Sequence, residues 1–98
     1  MLLLTFEWDP DKDKENQSKH DVSFDEARSV FYDEHTRLIY DPDHSEEEDR
    51  FVLLGMSAKL NILTVCHSYR VDGAVIRIIS ARKAVSRERE QYGEDYFS

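Results

Sequence analysis

YRVDGAVIRIISARKA, residues 69–84, decides how this 98-residue chain is read. Asp72-Gly73 sits between two runs rich in β-branched residues, and a type I′ turn needs two central residues that tolerate positive φ. The stretch is therefore predicted to be a hairpin, one arm ending near Arg70 and the other covering about Ala74 to Ala81. Partners across a two-residue turn sum to a constant, so Val71 is set against Ala74, Arg70 against Val75 and Ser68 against Arg77. Alternation puts Thr64, Cys66, Ser68, Arg70, Val75, Arg77 and Ile79 on one face, and Leu63, Val65, His67, Tyr69, Ile76 and Ile78 on the other. The second set is apolar and is predicted to lie under helices. The first leaves two guanidinium groups on an open face, with Arg82 just past the strand end. A slip of one residue in the pairing would send Arg77 to the opposite side.

Outward from the hairpin, the sequence is punctuated clearly. Asp9-Pro10 starts a helix, Asp capping free amides and Pro occupying the first position, where its missing N–H is harmless. That helix runs to about His20. Ser23-Phe24-Asp25-Glu26 forms a capping box, with Val22 stapled to Ala27, and a second helix to about Tyr32 turns Phe24, Ala27, Val30 and Phe31 inward. A short strand, about Arg37 to Tyr40, stops at Asp41-Pro42-Asp43, and HSEEED reads as a solvated loop. Strands follow at about Arg50 to Ser57 and Asn61 to Arg70, and a last helix at about Ala84 to Tyr92 is closed by Gly93. MLLLTFEW supplies a first strand. This order predicts an α+β fold, a mainly antiparallel sheet with two N-terminal helices and one C-terminal helix, in a single domain over residues 1–98.

Composition narrows the function. The apolar opening is too short, and lacks the leading basic residue, for a signal peptide or a membrane span. A lone cysteine, Cys66, fits a small strand residue better than a disulfide partner, zinc ligand or nucleophile, so a cytoplasmic protein is expected. The net charge of −8 argues against general nucleic-acid affinity. Charge is unevenly spread, however. Between Arg70 and Arg89 lie six basic residues and two acids, while Glu46, Glu47, Glu48 and Asp49 cluster elsewhere. For any one arginine the plain explanation is an ion pair with that acidic loop. Arg70, Arg77 and Arg82 together favour an anion site, because guanidinium forks match phosphate oxygens. A small phosphorylated ligand is a lesser alternative occupant.

In order and spacing, FEWDPDKDKEN (6–16), KHDVSFDEA (19–27), VFYD (30–33), DPDHSEEEDRF (41–51), LLGMS (53–57), RIISARKA (77–84) and SREREQY (86–92) resemble the BrnT family. These are toxins of bacterial type II toxin-antitoxin systems with a RelE-like ribonuclease fold. The resemblance implies a ribonuclease that inhibits translation and growth and is neutralised by a cognate antitoxin, typically a ribbon-helix-helix dimer, with a heterotetramer as the complex. Carried over by position, it marks His20, Arg70 and Arg82 as catalytic. Two departures stand out: Asp21, where the family commonly has glycine, and the acidity of the whole chain.

Metal-independent RNA cleavage needs a base for the 2′-hydroxyl, a proton for the leaving 5′-oxygen, and cations for the phosphorane. His20 is the candidate acid or base, Arg70 and Arg82 hold the phosphate, and Lys19, Arg77 and Lys83 are substrate-binding candidates. His20 is equally explained as a histidine favoured by a helix C-terminus. Glu26 belongs to the capping box and Trp8 to the core. His35, Asp41, Asp43 and His44 lack a diagnostic ligand spacing, so neither a metal nor another cofactor is expected. The competing function is a non-catalytic module that binds the antitoxin and has lost cleavage.

Overall fold

The computed structural model describes residues 4–40 and 50–97, so the predicted HSEEED loop, with Asp41, Asp43 and His44, lies outside the described residues. The elements run β1 (Thr5–Glu7), α1 (Pro10–His20), α2 (Phe24–Val30), β2 (Arg37–Tyr40), β3 (Arg50–Met56), β4 (Ile62–Arg70), β5 (Val75–Lys83) and α3 (Ser86–Phe97). They build a five-stranded sheet of order β1-β5-β4-β3-β2, antiparallel except where β1 runs parallel to β5. None of the described helices is long and apolar enough to cross a membrane.

The hairpin turn has the predicted chemistry. Asp72 and Gly73 have φ of 54° and 87°, and the Ala74 N–H donates to the Val71 carbonyl at 3.0 Å. Pairing holds at Arg70↔Val75 and Ser68↔Arg77, but Val71, also at φ 54°, drops out of the ladder. Farther along, the register shifts between Cys66 and His67: His67 pairs with Ile78, but Cys66 pairs with Ser80. Ile79 is thus an additional residue, a β-bulge. Arg82 consequently lies within β5 opposite Thr64, not past the strand end. Without the bulge it would face Leu63, on the apolar side.

That apolar side packs under α2. Val22, Phe24, Ala27 and Val30 meet Leu53, Leu63, Val65, Ile78 and Ala81, with Phe6, Trp8 and Phe31 against them. Trp8 sets its ring edgewise on Phe24 at 6.2 Å, in the core as its sequence position suggests. On the opposite side, α3 covers one end of the sheet, where Ala84 and Tyr92 pack on Leu54 with Ile39, Met56 and Ile62.

Two boundaries and one cap differ from those predicted. The second helix ends at Val30, because Phe31 and Tyr32 donate to carbonyls three residues back and tighten out of the α conformation. The last helix continues through Gly93. One glycine inside a helix costs roughly 1 kcal/mol, which burial of Tyr92 offsets. Only half of the capping box forms: the Ser23 hydroxyl accepts the Glu26 N–H, but the Glu26 carboxylate accepts instead from Ser57 and Asn61 at the β3–β4 turn.

Asp21 caps α1 in the left-handed region, φ 57° and ψ 35°. An L-residue pays roughly 1–2 kcal/mol there, and a carboxylate also opposes the helix dipole. Asp21→Gly is therefore expected to raise the melting temperature by about 4–8 °C, the change for about 1 kcal/mol in a domain of this size.

Candidate functional site

Residues directly opposite across a sheet share a face, so the register assigns every arginine on the strands. One row crosses Arg50, Ser68, Arg77 and Glu7; a second crosses Arg37, Leu54, Thr64 and Arg82. Arg70 lies two residues beyond Ser68 on the same side. Five of the chain's arginines, Arg37, Arg50, Arg70, Arg77 and Arg82, thus occupy the face opposite α2.

Those with described ion pairs fall into two groups with different partners. Arg70 approaches the Glu7 carboxylate with Nε at 3.2 Å, and Arg77 reaches the same oxygen with Nη1 at 3.7 Å. The side chains of Arg70, Arg77 and Glu7 are 54%, 30% and 39% exposed, so the cluster stays accessible. Two cations around one anion leave a net positive charge, and each guanidinium keeps donors to spare.

Arg82 is held much more closely. Its Nη1 and Nη2 donate to the two Glu88 oxygens at 2.7 and 2.9 Å, while Glu88 also accepts from the Thr64 hydroxyl and the Val85 N–H. The Arg82 hydrogen bonds, chiefly, draw the Glu88 carboxyl down to about 2 from the ordinary 4.5, against the opposing effect of burial. The same contact raises Arg82. Asp33 is lowered too. Burial is its largest single influence and acts upward, but donors from Met56, Tyr92 and His35 together prevail.

Both depressed carboxyls tie α3 to the sheet side, Glu88 through Arg82 and Asp33 through Tyr92. A carboxyl with a lowered folded pKa stabilises fully above its unfolded value and loses that contribution as pH falls through the folded one. Stability is therefore expected to fall between about pH 4.5 and 2. In melts over that range, Glu88→Gln should show a smaller drop than the unmodified chain.

The remaining candidates lie apart from the Glu7 cluster. Five positions of β5 separate Arg77 from Arg82, about 16 Å at ~3.3 Å per residue. His20 and Lys19 are exposed at the end of α1. Asn16 bonds to Ala81, and His20 follows one turn later along α1, about 6 Å on. Lys83 pairs with Leu63 and so belongs to the other face. Among the described residues, no hydrogen bond or ion pair joins His20 to an arginine, and no three His, Cys, Asp or Glu side chains are grouped to hold a metal. His67 is fully buried, edge-on to Phe31 at 4.8 Å, and burial lowers its pKa, which suits a neutral core residue. Sequence reasoning missed Glu7, whose role depends on a parallel pairing that nothing local encodes. It also missed Glu88, whose carboxylate reaches back to the Val85 N–H, because Val85 is not a capping residue and so gave no local signal.

A model of the family described as ribonuclease toxin, BrnT, of type II toxin-antitoxin system matches residues 8–88. No curated protein sequence matches the chain. Among solved structures, the crystal structure of the Brucella abortus ribonuclease toxin, BrnT, superposes with a TM-score of 0.65 at 21% identity, covering 86% of this chain and 100% of that one. The shared fold and a family match reaching from the end of β1 into α3 agree: this chain belongs to the BrnT family, the ribonuclease toxins of type II toxin-antitoxin systems.

Proposed function

We propose that the chain is a single-domain endoribonuclease that cleaves RNA without a metal ion, gripping the scissile phosphate with Arg70 and Arg77. The observation that carries this is the convergence of two guanidinium groups on one accessible point of an arginine-lined sheet face. Arg82, farther along β5 on the same face, and the exposed Lys19 and His20 at the end of α1 are assigned to flanking backbone, whereas Lys83 faces the other side of the sheet. His20 serves as the proton donor or acceptor only if bound RNA bridges the two ends.

Incubating purified chain with single-stranded RNA in excess chelator tests the proposal. Cleavage leaving 2′,3′-cyclic phosphate ends is the expected result. Intact RNA would favour the second reading, an antitoxin-binding module without activity, which the closure of Arg82 by Glu88 supports.

The partner is an antitoxin, as the family's type II designation implies. We assign it as a ribbon-helix-helix dimer that covers the arginine face in a cytoplasmic heterotetramer away from any membrane. The acidity of this chain favours an arm richer than usual in Lys and Arg. Co-expression followed by mass measurement checks the stoichiometry.

A further inference from the structure

Glu7 and Glu88 both meet arginines on this face, yet they do so differently. Glu88 engages both oxygens, takes four donors and is 16% exposed, as a structural tie does. Glu7 meets both arginines most closely through one oxygen, Oε1, is 39% exposed, and its Oε2 accepts no hydrogen bond among the described residues. An exposed ion pair of this kind contributes only about 0–1 kcal/mol to stability. Its position is nevertheless well fixed, since Glu7 pairs with Arg77 in the sheet and is followed by Trp8, packed on Phe24.

We propose that Glu7 is a catalytic residue, the base that takes the 2′-hydroxyl proton, with Arg70 orienting the carboxylate and Arg77 presenting the phosphate beside it. This rests on the ribonuclease reading above. A phosphate held by the spare donors of Arg70 and Arg77 lies next to the unengaged Oε2, and the 2′-hydroxyl belongs to the ribose carrying that phosphate. The O2′–H bond breaks with its proton passing to Oε2, O2′ bonds to phosphorus, and the P–O5′ bond breaks. The departing O5′ takes a proton from water. The products are a 2′,3′-cyclic phosphate and a 5′-hydroxyl.

The experiment compares wild type, Glu7→Gln and Glu7→Asp on one single-stranded RNA oligonucleotide, measuring binding by anisotropy and cleavage rate across pH. Glu7→Gln removes a negative charge beside the phosphate, so it should bind at least as tightly. It should also cleave about 10²- to 10⁴-fold more slowly, the usual contribution of a positioned base. Any fall in the wild-type rate toward acid should flatten in Glu7→Gln, and Glu7→Asp should recover part of the rate. Glu7→Gln cleaving within a few-fold of wild type, or losing binding in step with rate, overturns the assignment while leaving the ribonuclease standing. A wild type that cuts no RNA overturns both.

Discussion

Arg70→Ala is expected to slow RNA cleavage about 10²- to 10³-fold, the usual loss when one preorganised cationic donor is removed from a developing charge. Arg70 is half exposed, approaches Glu7 most closely through Nε, and donates no hydrogen bond from its Nη groups among the described residues, so both can turn to phosphate. Arg77→Ala should lose a similar factor. The double variant should lose less than the product, because groups that act on one phosphate are not additive. Arg70→Lys keeps the charge but not the fork and should fall between wild type and alanine. Arg82→Ala should act mainly on the fold. It strips Glu88, largely enclosed by Thr64 and Val85, of its only cation among the described residues, at a cost of about 1–3 kcal/mol. Initial rates and melting curves at one salt concentration separate these effects. Were Arg82→Ala to stay fully folded and lose as much activity as Arg70→Ala, the reaction centre would belong at the Arg82 end of β5.

The hairpin was legible because Asp72-Gly73 carries its own geometry, and with it came the register that places Arg70 and Arg77 side by side. Helix starts at Asp9 and Ser23 were legible for the same reason: each depends on a side chain bonding within its own turn. What the sequence hid is non-local. The Ile79 bulge, which brings Arg82 onto the arginine face, is marked by no glycine or other local signal. The convergence on Glu7 depends on β1 entering the sheet parallel to β5, some seventy positions away in sequence. The LLGMS glycine was visible as part of a motif but without a reason. At Gly55 an added Cβ would come within 2.8 Å of Val30 and Thr36 side-chain carbons, so α2 and β3 meet there only without one. The anion site expected of Arg70, Arg77 and Arg82 together resolves into two clusters, because the length of β5 between Arg77 and Arg82 sets their ion pairs well apart.

Asn16→Leu is expected to destabilise the chain by about 3–6 kcal/mol, a large part of the 5–15 typical of a small domain. In an otherwise polar, exposed helix, Asn16 is the one residue that is buried. β1 covers the outer edge of β5 only from Val75 to Arg77. Beyond it, the Asn16 amide takes the place of a neighbouring strand: Nδ2 donates to the Ala81 carbonyl at 2.8 Å and Oδ1 accepts the Ala81 N–H at 3.1 Å. The same Nδ2 donates to the Val22 carbonyl at 2.8 Å, fixing the turn into α2. Leucine fills the space but leaves three main-chain groups without partners, each worth about 1–3 kcal/mol when buried. Asn16→Asp keeps the acceptor for the Ala81 N–H and sets a carboxylate against two carbonyls. That variant should be as unstable as Asn16→Leu at neutral pH and recover on acidification, since a protonated carboxyl can donate once; the folded state raises the pKa of this aspartate, so stability returns as pH falls through it. Urea unfolding of the three chains at pH 7 and pH 5 measures both effects. An Asn16→Leu variant within about 1 kcal/mol of wild type would mean that water reaches this edge, since only an outside donor could then satisfy the freed carbonyls.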